Sequence, residues 1–348
     1  MTKSRALACV LAAVLSISVA ACSSTTGTTT GGTSGVPAYK GAGKSAADLK
    51  FGTVVKSMGF NWFKRMETGV QKFGKDTGVT AFEQGPSQAD PAQENQVAQD
   101  MLAQSPDALI VDPIEVATAE SVMKQAMSQG VAVIALESPG VQNAVYDVEP
   151  FDNKAYGEHL MDSLAQHMGG KGQYGVFVGA LNSQSQMEWT NAAVAYQKQK
   201  YPDMHMVGDT NVTGSDQAKS YAEMKQLMQT YPNLGGMLGA DAYDVVGAGQ
   251  AVQEAGLAGK IAVIGTSIVS YAGNLLKSGA ITQISTWDPA DHGYVGNKVA
   301  QLVLEGKQVT TGMDLGVPGY DKVTVTGKTI YGSGWVDVTQ SNMAQYNF

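Results

Sequence analysis

Carboxylates, amides and indoles recur at one kind of place along this 348-residue chain: where a short apolar run has just ended or a helical stretch begins. Lys56, Asn61 and Trp62 follow the run 51–55, Asp112 follows 108–111, and Glu137 follows 131–136. Further on, Gln186 and Trp189 open a helical stretch, Asp241 follows a glycine-rich run, and Trp287 with Asp288 follows 281–286. Planar acceptors with neighbouring amides suit a ring of hydroxyls, because each hydroxyl both donates and accepts. Trp62, Trp189 and Trp287 offer flat apolar plates for the C–H faces of a carbohydrate or polyol, with the indole N–H as donor. In an open α/β sheet ligands sit beyond the carboxyl ends of the strands, which is where these side chains fall.

Catalytic constellations do not survive the same scrutiny. Gly170, Gly172 and Gly175 have the spacing of a dinucleotide loop, but they follow a helix and precede a strand, the reverse of what pyrophosphate binding needs. Ser121 and Lys124 have the spacing of a serine–lysine hydrolase motif, yet they sit mid-helix without its partner motifs. His159 and His167 are too far apart on one helix to share a metal, and His205 and His292 lie in no ligand pattern. The expectation is a binding protein, not an enzyme, with no metal and no cofactor.

The elements that would position these residues alternate. Runs 51–55, 79–82, 108–111 and 131–136 are near-continuously apolar, as in parallel strands covered on both faces, and helical stretches lie near 62–77, 91–104 and 116–129. After residue 152 the rhythm repeats, with helices at 153–168, 186–200, 215–230, 243–255 and 270–278, and strands at 174–179, 204–208, 234–239, 261–264 and 281–286. This predicts an α/β protein of two similar doubly wound parallel-sheet lobes joined by a hinge. The first lobe is expected to hold 47–152 plus about 289–322, the second 153–288 plus about 323–348.

Residues 1–21 read as a secretory signal: Lys3 and Arg5 precede an apolar run too short to span a bilayer as a mature helix. Val19-Ala20-Ala21-Cys22 resembles a bacterial lipobox, so Cys22 is the expected lipidation site on a Ser/Thr/Gly-rich tether, 22–46. The expected product is a cell-envelope lipoprotein on the outer face of the bacterial cytoplasmic membrane. Only one other cysteine exists, Cys9 in the leader, so no disulfide supports the fold. A formal net charge of −8, more acidic still once the leader is removed, argues against a nucleic-acid partner.

Asn61-Trp62-Phe63 with Gly69, Asp112-Pro113, the run 131–140, Phe151-Asp152-Asn153 with Gly157, and Ala240-Asp241 with Gly247-Ala248 together resemble the periplasmic sugar-binding proteins of the ribose-binding type. Residues 285–312 and 342–348 are most similar to the rhamnose and autoinducer-2 receptors. The resemblance implies a type I periplasmic binding protein, a monomer with three hinge crossings that closes on one small ligand and delivers it to an ABC permease. Lys56, Glu137, Gln186, Ala240 and Ala242 match positions that contact ligand in the autoinducer-2 receptors. This chain departs at Ser185, where those receptors carry an acid, and at Ala240, where they carry proline. Ser138 stands where the ribose type carries arginine. A signal receptor would use the same closed form, and a carbohydrate-processing enzyme would need to turn the ligand over. A sugar-responsive transcription regulator shares the fold but needs an N-terminal helix-turn-helix, where this chain has a leader and tether.

Arg65 is the single arginine beyond the leader. Bidentate recognition of carboxylate or phosphate relies mostly on arginine, so a neutral ligand is expected. Titration calorimetry with uronic acids and sugar phosphates should show no tight binding, and tight binding to these alone would overturn the inference.

Overall fold

The computed structural model describes residues 39–346 and 348. The expected signal peptide 1–21, the lipidation site Cys22 and most of the tether 22–46 lie outside the described residues.

The first half runs β1 (Lys50–Val54), α1 (Asn61–Thr77), β2 (Thr80–Gln84), α2 (Pro91–Ala103), β3 (Ala108–Val111), α3 (Val116–Ser128), β4 (Ala132–Leu136) and β5 (Tyr146–Glu149). It continues with α4 (Asn153–Met168), β6 (Gly172–Val178), α5 (Gln184–Lys200), β7 (Met204–Met206), β8 (Asn211–Val212), α6 (Gln217–Thr230), β9 (Leu234–Gly239), α7 (Asp244–Glu254), β10 (Ala262–Thr266), α8 (Val269–Ser278) and β11 (Gln283–Thr286). Then come α9 (Pro289–Leu304), β12 (Thr324–Thr326), β13 (Thr329–Tyr331) and β14 (Val336–Val338). Every residue of β3 and β4 is buried, which is why those runs lack polar alternation. Asp90, Asp152, Asp216 and Asp288 each accept backbone N–H bonds at the start of α2, α4, α6 and α9. Gly78, Gly169 and Gly279 end α1, α4 and α8 in the left-handed conformation.

These strands make two sheets, ordered β12-β13-β5-β4-β3-β1-β2 and β14-β11-β10-β9-β6-β7, with β8 beside β6. All pairings are parallel except β12 with β13 and β11 with β14, so the fold is α/β with two parallel-dominated sheets. The chain passes between the sheets three times: after β5, after β11 and between β13 and β14. From the sequence, about 323–348 is expected in the second lobe. That assignment is corrected for β12 and β13, because β13 pairs in parallel with β5 and extends the first sheet. β5 has no apolar run to announce it, since two of its four residues are acidic. Tertiary partners make the strand possible: Asp147 accepts from the Ser138 N–H at 3.1 Å and Glu149 from Asn153 Nδ2 at 3.1 Å.

Helix pairs approach closely where glycine permits. A Cβ on Gly69 of α1 would lie 1.8 Å from the Ala290 carbonyl of α9, and one on Gly157 of α4 would lie 2.2 Å from the Trp189 carbonyl of α5. Aromatic side chains gather at the crossings. Phe151 at the first crossing packs 5.0 Å from Trp287 at the second and 5.5 Å from Trp335 at the third, between ring centroids. Tyr156 stacks on Phe151 at 4.1 Å, and Trp62 meets Trp287 edge-on at 4.8 Å.

On the edge strand β2, Glu83 sits in register beside Thr53, buried, with neither carboxylate oxygen hydrogen-bonded among the described residues. Burial, reinforced by Glu67 and Asp112, pushes its carboxyl up to about 9. The folded state therefore keeps a proton that the unfolded chain releases above its ordinary carboxyl range. Stability from this site is full below that range and is lost as pH rises toward 9. Glu83→Gln is expected to raise stability at pH 8 by about 2 kcal/mol. It should also flatten the dependence of Tm on pH between 5 and 9, read by thermal denaturation across that range.

Candidate functional site

A cavity of about 110 Å³ lies between the lobes, at the carboxyl ends of strands from both sheets. Lys56 after β1, Ile114 after β3, Glu137 after β4, and Phe60, Trp62 and Phe63 at the start of α1 line one side. Opposite them lie Ser185, Gln186 and Trp189 of α5, Ser215 after β8, and Ala240, Asp241, Ala242 and Tyr243 after β9. Thr266, Tyr271 and Trp287 complete that wall with Ala180 and Ser183, and Ala89, between β2 and α2, lies on the first side.

The first side is built on charge. Lys56 Nζ lies 2.9 Å from Asp112 Oδ1 and 2.9 Å from Glu137 Oε2. Burial works against the ammonium, but the two carboxylates hold its pKa above the ordinary lysine value, so it stays charged. Asp112 is wholly buried behind Lys56, and burial pushes its carboxyl well above the usual range against the pull of that lysine. Glu137 is held at φ 49°, a left-handed conformation costly for a non-glycine residue, with its N–H bonded to the Val148 carbonyl at 3.2 Å. Behind it, buried His292 has its Nε2 3.9 Å from Glu137 Oε1 and its Nδ1 2.5 Å from Tyr320 Oη. Burial lowers the imidazole to about 4, so it is neutral at pH 7 and makes no ion pair with Glu137 there.

Asp241 on the other side is held by uncharged donors. Ser215 Oγ donates to its Oδ2 at 2.7 Å, Gln186 Nε2 to the same oxygen at 3.2 Å, and the Tyr243 N–H to its Oδ1 at 3.0 Å. Its own N–H donates to Asp244 Oδ2 at 2.9 Å. Asp244 is fully buried and pushed well above the usual carboxylate range, first by burial and then by Asp241. Ser215 is another non-glycine residue at positive φ, 56°. Two of the three such positions among the described residues therefore line this cavity.

Nine of the residues expected to meet ligand line the cavity: Lys56, Trp62, Glu137, Gln186, Trp189, Ala240, Asp241, Ala242 and Trp287. Asn61, Asp112, Ser138 and Asp288 do not. The Asn61 side chain is exposed, and Asp112 stands behind Lys56. Ser138 is buried, with its hydroxyl donating to the Leu136 carbonyl at 2.8 Å. Asp288 is committed to the Arg65 guanidinium, at 2.8 and 2.5 Å, and to the first turn of α9. The indoles also differ from free plates. Trp189 Nε1 already donates to Asn153 Oδ1 at 2.6 Å, whereas Trp287 Nε1 is buried with no partner among the described residues. Phe60, Tyr243 and Tyr271 line the cavity without having stood out in the sequence. Phe60 carried one signal, an aromatic residue where α1 would ordinarily have a polar N-cap.

Two α/β lobes with three connections and one small interlobe cavity, lined by fixed polar groups and aromatic faces, define a two-lobed solute-binding protein. Residues 51–308 match the periplasmic binding protein domain, and the chain belongs to that family. It is 25% identical over 320 residues to a xylitol-binding protein of Mycolicibacterium smegmatis, covering 87% of this chain and 89% of that one. Among solved structures it is similar to a solute-binding protein of an ABC transporter from Clostridium phytofermentans with bound L-rhamnose. That match has TM-score 0.78 and 18% identity, and covers 86% of this chain and 98% of the other. It is also similar to LsrB from Clostridium saccharobutylicum in complex with AI-2, with TM-score 0.78, 19% identity and coverage of 86% and 100%.

Removing the lysine would leave two carboxylates without their cation. Lys56→Met is expected to destabilise the protein by about 3 kcal/mol in urea denaturation at pH 8. The loss should shrink at pH 5, where a buried carboxylate takes up a proton, and should be partly recovered in Lys56→Met/Glu137→Gln. A loss independent of pH would show that the ion pair is not its source.

Proposed function

We propose that the protein captures one small neutral sugar or polyol between its lobes and delivers it to an ABC permease, without chemically altering it. The carrying observation is the opposition of two pre-set polar groups across one cavity: Lys56 with Glu137 on one side, and Asp241 with Gln186 and Ser215 on the other. Hydroxyls can donate to the carboxylates and accept from the ammonium and the amide, while Trp62, Phe60 and Tyr243 cover C–H faces. Arg65, the one arginine beyond the leader, is taken up by Asp288 and is not among the cavity-lining residues. Nothing in the cavity lining therefore offers an acidic ligand a bidentate partner. The xylitol-binding relative supports a polyol and places C5 polyols first among ligands to test. In this reading Cys22 carries the lipid anchor, the tether holds the monomeric receptor off the membrane, and the lobes close because ligand contacts both only when they meet.

A thermal-shift panel of pentoses, hexoses, deoxysugars, C4 to C6 polyols and autoinducer-2 tests the reading, because a ligand of the folded form raises Tm as its concentration exceeds Kd. At least one neutral polyol or sugar should shift Tm and be recovered unchanged after incubation. A shift with none of them, or turnover of one, would overturn it. For the ligand found, Asp241→Ala should weaken calorimetric affinity by about 10- to 150-fold with the fold intact. Unchanged affinity would remove Asp241 from the site.

A further inference from the structure

α1 begins without a cap of its own. Its N-cap residue is Phe60, whose side chain makes no capping hydrogen bond, so the first-turn amides receive no cap from that position. The partner comes from the other lobe: the Asn61 N–H donates to the hydroxyl oxygen of Tyr271 on α8, and the Trp62 amide lies against the same oxygen. Around this bond the aromatic rings continue across the cleft. Phe60 meets Tyr243 edge-on at 5.4 Å, and Tyr243 packs on Tyr271 at 4.7 Å. Below it, the Arg65 guanidinium lies 5.3 Å from the Phe348 ring, whose backbone carbonyl accepts from the Ser270 N–H at 2.9 Å. By contrast, α4 and α9 are capped by Asp152 and Asp288 at their own N-termini. Phe60, Tyr243 and Tyr271 all line the cavity, so separating them opens it.

We propose that Tyr271 is a positioning residue for ligand capture: its hydroxyl caps helix α1 from the opposite lobe only when the lobes meet, and with Phe60 and Tyr243 it clasps the mouth of the cavity. The inference rests on the reading that the lobes part to admit a ligand. Because a helix N-terminus gains from an oxygen acceptor wherever that acceptor comes from, a cap supplied across the cleft turns helix stability into closure. The Tyr271 cap lies between protein groups, so it slows escape of whatever ligand is held without choosing among ligands.

The experiment compares the full chain with Tyr271→Phe, which removes one oxygen. Without any ligand, amide hydrogen exchange over residues 58–64 should quicken about 5-fold while exchange at the start of α9 stays unchanged. Small-angle scattering should show a larger mean radius of gyration. With a ligand from the thermal-shift panel, the dissociation rate should rise by about the same factor with constant affinity ratios between ligands. Phe60→Ser supplies α1 with a cap from its own lobe, and in that background Tyr271→Phe should no longer change exchange over 58–64. Unchanged exchange and scattering in Tyr271→Phe would overturn the proposal, as would affinity ratios that change, since these mark a direct ligand contact. If no panel member binds, the sugar reading fails while the ligand-free measurements still decide the clasp.

Discussion

One ammonium held between two carboxylates organises the first lobe. Lys56, Asp112 and Glu137 come from the ends of three neighbouring strands, β1, β3 and β4, so their meeting depends on the parallel register of those strands. Two buried acids share one cation, and the excess is taken up by pushing Asp112 toward its neutral form. The arrangement also explains the strained backbone at Glu137, because a left-handed residue after β4 turns its side chain back over the sheet edge toward Lys56. Neutral His292 behind Glu137 adds bulk and polarity without another charge.

The opposite lobe reaches a similar end by different means. Asp241 is oriented by hydroxyl, amide and backbone donors and, among the described residues, has no lysine or arginine as a direct partner. The cavity thus has a paired charge on one side and a carboxylate held by neutral donors on the other.

The aromatic cluster at the crossings ties the lobes at the other edge of the cavity. Phe151, Trp287 and Trp335 mark the three connections, and Trp62 and Trp189 bring the cluster to the cavity wall. Arg65 adds to this tie: its bidentate bond to Asp288 joins α1 to the second crossing.

Apolar runs without alternation were enough to indicate parallel strands buried on both faces, and β3 and β4 show why: none of their residues meets solvent. Local pattern also located the strand ends, and with them Lys56, Glu137 and Asp241, since a ligand edge in this fold lies where strands stop. It could not reveal β5, whose acids are paid for by Ser138 and Asn153, residues identifiable as partners only after folding. Nor could it separate Asp112, which stands behind the lysine, from Glu137, which reaches the cavity, because burial depth is set by the neighbouring strand and not by the residue type. β12 and β13 joined the first sheet through pairing with β5, a long-range contact with no local trace. Tyr271 is the sharpest case: its position on a short helix says nothing, and its role at the start of α1 exists only because the two lobes meet. The sequence by itself determined the alternation of strand and helix and the residues at strand ends, through local periodicity. Tertiary structure alone decided which of those residues face one another, because that depends on register and on the three crossings of the chain.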